Sequence, residues 1–331
     1  MTGSVESASN SSPRHVLVIA PNWLGDGIMA MPALQVLRSQ LPERSRLDVA
    51  AKPGQTALWK LHPDVDNVYT LPDIEKFDYS EAVILPNSFR SALLPFRCRI
   101  PKRRGTIDQM GRRFLINDPV DLRDLSVAHQ QWENARLLLG SSVPKTLPPP
   151  RLVPTEASLT SISKLTQNAS SPFLGVFPGA ARGPSKQWPE ERFQAVAEQW
   201  VSTTKGSVFW LGTPGDVAVC ERCSTSLGAN GIVLAGKTSL QDAAAAISRM
   251  DVVLANDSGG MHLATALNTP VVAVFGITDP EKTGPLSETS IVIQHSTIRN
   301  RRVPIDCPEA RAALESISVK EVTEAVLAFR V

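Results

Sequence analysis

From His15 onward the chain alternates short, dense apolar runs with longer stretches in which apolar residues return every three or four positions. The run HVLVIA at 15–20 is short, β-branched and followed by Pro-Asn, a combination that reads as a buried strand. Residues 27–40 then place Ile28, Met31, Leu34 and Leu37 at a spacing near 3.6, which predicts a helix with one apolar face. LDVAA at 47–51 and AVIL at 82–85 read as further strands. Strands separated by helices predict βαβ units and a parallel sheet.

The texture changes between 140 and 172, where Pro, Ser and Thr dominate; this segment reads as a linker with room for one short helix. After it the alternation restarts. Strands are expected at 173–177, 207–211, 232–234, 251–255 and 270–275, and helices at 190–201, 240–250 and 260–267, with Ser239 as an N-cap. The fold class is therefore α/β: two Rossmann-like doubly wound domains, 14–165 and 166–331, with the ligand crevice between them at the carboxyl ends of the strands. The helix expected at 319–329 is of a kind that packs back on the first domain. Residues 1–13, small and polar, read as a disordered tail.

Composition narrows the picture without redrawing it. At 331 residues, 42% hydrophobic and 20% charged, the chain fits a soluble globular protein of two domains. A formal net charge of +2 gives no case for a nucleic-acid partner. No apolar run reaches the ~18 residues of a spanning helix, and the amino terminus lacks the blocks of a secretory signal. A reducing, cytoplasmic setting follows, since four irregularly spaced cysteines make no disulfide framework. Cys220 and Cys223 form a C-x-x-C, but no second pair or nearby histidine completes a zinc site, so ordinary helix positions are the simpler reading.

Four stretches carry candidate chemistry. The first is Asn256-Asp257-Ser258-Gly259-Gly260-Met261-His262, in which a strand, a Gly-rich turn and a helix start follow one another. Glycines let a phosphate approach the backbone, and free amides at a helix N-terminus favour negative charge. Ser258 and His262 can donate to phosphate oxygens, whereas Asp257 suits a sugar hydroxyl or an amide better than an anion. The alternative is a plain helix cap with His262 as packing. The second stretch, 177–189, offers a loop through Gly179 and Ala180 that can wrap a phosphate, with Lys186 as a point charge for a leaving diphosphate and Arg182 as a weaker candidate.

The third is PNWLGDG at 21–27. It lacks the G-x-G-x-x-G spacing of a dinucleotide fingerprint. Asp26 is placed either to act as a general base at a strand's carboxyl end or to cap a helix, and the residues alone leave both open. The fourth is the basic run Arg97, Arg99, Lys102, Arg103, Arg104, Arg112 and Arg113, with only Asp108 among them. Seven positive charges in seventeen residues of a nearly neutral protein form either a patch for a phosphorylated acceptor or an anionic membrane surface, or a solvated loop.

Four blocks together, PNWLGDGIMAMPAL, LPNSFRSALLPF, FPGAARGPSKQWPEERF and NDSGGMHLATALNTPVVAVFG, resemble the ADP-heptose:lipopolysaccharide heptosyltransferases of glycosyltransferase family 9, most closely the heptosyltransferase II branch. They occur in order from about Val16 to Phe329. The resemblance implies a GT-B fold with an acceptor domain followed by a donor domain. It implies inverting transfer of L-glycero-D-manno-heptose from ADP-heptose to the first heptose of a lipid A–Kdo–heptose acceptor, with peripheral contact at the inner membrane. It implies Asp26 as general base, Lys186 on the departing phosphate, and a donor site of Gly179, Ala180, Asp257, Ser258, Gly259, Gly260 and His262. Asn87, Arg90, Arg103, Arg104 and Arg112 are the implied acceptor contacts. No cofactor and no strict metal requirement are expected. Cys307 stands in the segment where such proteins often carry paired cysteines, without an evident partner.

Overall fold

Apolar β-branched runs form the two sheets. In the computed structural model, which describes residues 12–74, 78–126, 128–300 and 303–330, the expected tail at 1–13 lies almost wholly outside the described residues. The first sheet uses β1 (His15–Ile19), β2 (Arg46–Ala51), β3 (Asn67–Thr70), β4 (Glu81–Ile84), β5 (Lys102–Gly105) and β6 (Asp118–Pro119). Between and after them run α1 (Leu24–Gln40), α2 (Thr56–Trp59), α3 (Phe89–Arg97) and α4 (Gln130–Leu139). All strand pairs are parallel and the order is β3-β2-β1-β4-β5-β6.

The second half starts with α5 (Glu156–Leu165), the one helix of the Pro-rich stretch. Then come β7 (Phe173–Phe177), α6 (Glu190–Thr204), β8 (Ser207–Trp210), α7 (Val217–Ser224), β9 (Gly231–Val233), α8 (Leu240–Ile247) and β10 (Val252–Asn256). The chain closes with α9 (Gly259–Ala266), β11 (Val271–Val274), α10 (Pro280–Thr283), β12 (Ser290–Ile293), α11 (Pro308–Glu315) and α12 (Val319–Leu327). The strand order β12-β11-β10-β7-β8-β9 repeats the connectivity of the first sheet. Each sheet therefore has one switch point, between β1 and β4 and between β7 and β10, where such folds bind ligands outside the strands' carboxyl ends.

Two compact units result. One holds most of the chain up to Pro148; the other holds everything from Pro149 on, α5 included, together with Trp23–Met29 and Val127–Gln130. The second core packs Trp188, Trp200 and Trp210 with Leu174, Val252 and Val272. Val322 and Val326 of α12 belong to this core. The last helix, expected to return to the first domain, is thus a wall of the C-terminal unit. Cys220 and Cys223 also sit inside it as free thiols, pushed up by burial to about 12 and about 11, so they act as packing side chains.

Charge rather than apolar patterning makes β5. Its residues Lys102, Arg103 and Arg104 alternate across the sheet, and Arg104 Nε reaches Asp118 of β6 at 2.7 Å while Lys102 lies 3.6 Å from Glu81 of β4. Part of the basic run, for which the sequence leaves an anion-binding patch and a solvated loop both open, is a strand held by cross-strand ion pairs.

Candidate active site

The switch point of the second sheet is knitted by one side chain. Asn256, the last residue of β10, is fully buried; its Oδ1 accepts from Trp188 N at 2.9 Å and its Nδ2 donates to Pro178 O at 2.9 Å, with Gly179 O at 3.5 Å. A neutral amide can satisfy a donor and an acceptor together at one buried point. The loop after β7 and the start of α9 are thereby held side by side. Ala180 O accepts from Gly183 N, closing the turn that follows Gly179. Gly260 lies over Phe177, where a Cβ would come within 2.6 Å of the ring, so only glycine permits this approach. Ser258 occupies the N-cap position of α9 with extended backbone, yet neither it nor Asp257 caps the helix with its side chain. The first turn of α9 is an electropositive end without a side-chain cap.

Lys186 reaches into this corner. It closes a 3-10 turn, Pro184–Lys186, whose Ser185 is buried; Ser185 Oγ donates to Ile305 O at 2.7 Å and accepts from Cys307 N at 2.8 Å. Two residues on, Trp188 is locked by Nε1 donating to Ile317 O at 3.3 Å and by an edge contact with Phe193. Between these anchors Lys186 Nζ meets Asp257 Oδ2 at 2.5 Å, with side chains only 14% and 7% exposed. His262, one helical turn into α9, is buried, and its Nδ1 has no hydrogen-bond partner among the described residues. Burial lowers its pKa to about 4; Lys186 and His129 push the same way, while Asp257 opposes them. At neutral pH the ring is uncharged.

The first turn of α1 packs on the first turn of α9. A Cβ on Gly25 would stand 2.7 Å from His262 Cδ2, so glycine is required for this contact as well, and Gly259 lies against Leu24. Asp26, expected as base or cap, is inside the helix rather than at its cap, in the first turn. Its Oδ1 accepts from Gln130 Nε2 at 3.3 Å, and the preceding His129 bonds Gly284 O through Nε2 at 3.2 Å. Burial lowers the His129 pKa too, with Lys282 adding to the effect and the Gly284 bond opposing it. Gln130 and His129 were not foreseen. They sit about a hundred positions from Asp26, and no local spacing links them.

The switch point of the first sheet carries a cavity of about 620 Å³, bounded by Ile19 at the end of β1, Ala20 and Asn22 after it, Lys52 after β2, Pro86 and Ser88 after β4, and Arg90, Leu94 and Arg97 on α3. Of the five expected acceptor contacts, Arg90 borders it; Asn87 is exposed at the start of the same loop. The other three arginines are committed elsewhere. Arg103 donates to Leu115 O and Ile100 O, and Arg104 to Asp118 and Leu138 O. Arg112 is fully buried, donating to Thr106 O at 2.7 Å, Pro86 O at 3.2 Å, Ser91 Oγ at 3.1 Å and Ser88 O. Lys52 and Arg97, absent from the expected acceptor set, line the cavity instead.

Comparison with known proteins agrees with this geometry. The family model for glycosyltransferase family 9 (heptosyltransferase) matches residues 73–311. The lipooligosaccharide heptosyltransferase 2 of Haemophilus ducreyi is 32% identical over 84% of this chain and 88% of its own length. The lipopolysaccharide heptosyltransferase 2 of Escherichia coli is 29% identical over 84% and 87%. Among solved structures, the E. coli ADP-heptose lps heptosyltransferase II superposes with a TM-score of 0.81 at 28% identity, covering 95% of this chain and 98% of that one. The fold is also that of E. coli heptosyltransferase WaaC with ADP, at a TM-score of 0.73 and 19% identity over 95% and 99%. Two Rossmann-like units of this connectivity make a GT-B protein.

Proposed function

We propose that this chain, which belongs to glycosyltransferase family 9 and is a glycosyltransferase, moves L-glycero-D-manno-heptose from ADP-heptose to the inner-core heptose of a lipid A–Kdo–heptose acceptor, inverting the anomeric centre. The observation that carries this reading is the Lys186–Asp257 pair at the uncapped start of α9, with the first turn of α1 packed beside it. A diphosphate placed there meets helix amides, the Ser258 hydroxyl and the Lys186 ammonium. Asp257 then exchanges its ammonium partner for a hydroxyl or amide of the donor. Asp26 accepts the proton of the acceptor hydroxyl as that oxygen bonds to the anomeric carbon and the bond to the β-phosphate oxygen of ADP breaks. Gln130 keeps one Asp26 oxygen turned by its amide.

The acceptor reading rests on the first sheet's cavity, where Lys52, Arg90 and Arg97 stand around an otherwise largely apolar lining. Cationic groups at the mouth of such a cavity suit a phosphorylated or carboxylated sugar core. Asn22, which lines the cavity, lies four residues before Asp26 in the chain. We read the transfer as independent of metal because Lys186 and α9 supply the positive charge; chelation is expected to leave turnover unchanged, and a loss restored by magnesium would overturn this. The chain is read as working at the cytoplasmic face of the inner membrane, and no helix among the described residues is long and apolar enough to cross a membrane.

The test is ADP release from ADP-heptose with acceptors truncated at successive core sugars. Release that requires the first inner-core heptose, with the new linkage inverted, is expected. Release with an acceptor lacking that heptose assigns the chain to another step, and release with no acceptor of the series refutes the reading.

A further inference from the structure

The segment 89–114 combines two properties that the rest of the surface keeps apart. It carries eight Arg and Lys against one acidic residue, Asp108, for a net charge of +7, whereas the whole chain is +2 and everything outside this segment therefore sums to −5. It also holds five of the ten large hydrophobic side chains that are exposed among the described residues: Phe89, Phe96, Ile107, Met110 and Phe114. Met110 is 98% exposed and Phe114 70%, so neither has any role in a core.

These side chains form one surface. The Phe89 ring lies against Gly111, next to Met110, where an added Cβ would stand 3.1 Å from the ring. Arg112, through Pro86, Ser88 and Ser91, ties the turn that carries Arg113 and Phe114 to the start of α3. Arg103 lies over the Phe96 ring at 5.4 Å and bonds Leu115 O. Arg113 covers Phe114 at 4.9 Å. On α3 itself Phe89 and Phe96 share a face seven residues apart, and Arg90 and Arg97, also seven apart, share the next face round and line the cavity. Exposed Arg90, Arg97, Arg99 and Arg113 make no ion pair with any described residue. Lys102 and Arg104, by contrast, are neutralised by Glu81 and Asp118.

We propose that α3 and the 107–114 turn dock this protein on an anionic phospholipid surface, with Phe89, Phe96, Met110 and Phe114 entering the interface and Arg99 and Arg113 meeting the headgroups. Exposed aromatic side chains ringed by unpaired arginines fit that boundary, where apolar burial and attraction to anionic lipid act together. A soluble acidic protein could bury the same side chains, and wild-type protein that binds neither kind of vesicle would point to that partner instead. The inference rests on the reading of a lipid-anchored acceptor only for its purpose: α3 would hold the cavity at the bilayer surface, where the sugar of such an acceptor stands.

Cosedimentation of the full chain with vesicles of phosphatidylcholine alone, or mixed with phosphatidylglycerol, tests it. Binding is expected only to the mixed vesicles and is expected to weaken as salt rises. The double variant Met110→Ser, Phe114→Ser and the single variant Arg113→Glu should each lower the partition coefficient by about fivefold or more, the effect of one interfacial charge. Both should keep wild-type turnover on a deacylated, soluble acceptor and lose turnover on the same acceptor embedded in anionic vesicles. Wild-type protein that stays in the supernatant, variants that bind like wild type, or equal binding to neutral vesicles would each overturn the docking surface. Absence of turnover by wild type on the soluble acceptor would instead count against the proposed reaction and leave the vesicle result standing.

Discussion

Lys186 and Arg112 are both cations largely withdrawn from water, and their partners make them different kinds of residue. Arg112 is fully buried and spends its guanidinium on three main-chain carbonyls and the Ser91 hydroxyl, all within its own unit. Three of those acceptors lie in loops and the fourth is on α3, and the fully buried guanidinium offers no exposed edge to a ligand. Lys186 keeps 14% of its side chain exposed and has one carboxylate partner, Asp257, beside a helix start without a side-chain cap. That pairing can be exchanged for a diphosphate at little cost, because one anion replaces another. Burial alone therefore does not separate a structural cation from a functional one; the number and kind of its partners do.

The comparison extends to Asp26, whose Oδ1 accepts from Gln130 Nε2 at 3.3 Å. Asp26→Asn removes the proposed proton acceptor while keeping shape, so turnover should fall by about 10²–10⁴-fold. ADP affinity measured by calorimetry should stay within a factor of about two, well under the tenfold that 1.4 kcal/mol represents. Near-normal turnover would mean that another group takes the proton. Lys186→Ala comes next. It removes the ammonium proposed to meet the leaving group and leaves Asp257 buried and unpaired, so kcat should drop by about 10²–10³ and ADP binding should weaken as well. Adding Asp257→Asn to Lys186→Ala removes the orphaned charge; thermal stability should recover while activity does not. Recovery of activity would break the distinction between the two cations.

Arg112→Met makes the opposite prediction. Four acceptors in the N-terminal unit lose their donor, and stability should fall by on the order of 3 kcal/mol. ADP affinity, which the proposed donor site places in the C-terminal unit, should be unchanged in protein that remains folded. A selective loss of acceptor affinity with stability intact would restore Arg112 to the acceptor set.

The same contrast explains what could be read from the sequence. The strand–turn–helix that carries Asp257 was legible because its parts are local: they follow one another in NDSGGMH, and β10 and α9 stand within two residues of where periodicity placed them. The doubly wound class was legible for a similar reason, since β1, β7 and β11 are unbroken apolar runs. The basic stretch was not. Lys102, Arg103 and Arg104 form a strand whose Lys102 and Arg104 pair with Glu81 and Asp118, an arrangement with no hydrophobic signature. Whether an arginine there faces water or a carbonyl depends on partners 12–34 residues away, as with Arg103 and Leu115 or Arg104 and Leu138. The Asp26–Gln130 contact spans 104 residues and left no local trace.

The smallest effect concerns acid. His262 is neutral and buried, with its pKa lowered from 6.5 to about 4 chiefly by loss of water. Above pH 6.5 the ring is uncharged in both folded and unfolded chains, and stability is insensitive to it. Between about pH 6.5 and pH 4 the unfolded chain binds a proton that the folded ring refuses. Stability should therefore fall with pH, at no more than about 1.4 kcal/mol per unit from this group. His129, also lowered by burial, adds to the same limb. His262→Gln should flatten the acid limb of a denaturation series over this window, and His129→Gln should flatten it less. An unchanged slope in His262→Gln would mean that the ring is protonated in the folded protein. It would then be a second cation beside Lys186, and the charge offered to a diphosphate would not rest on one ammonium and a helix end.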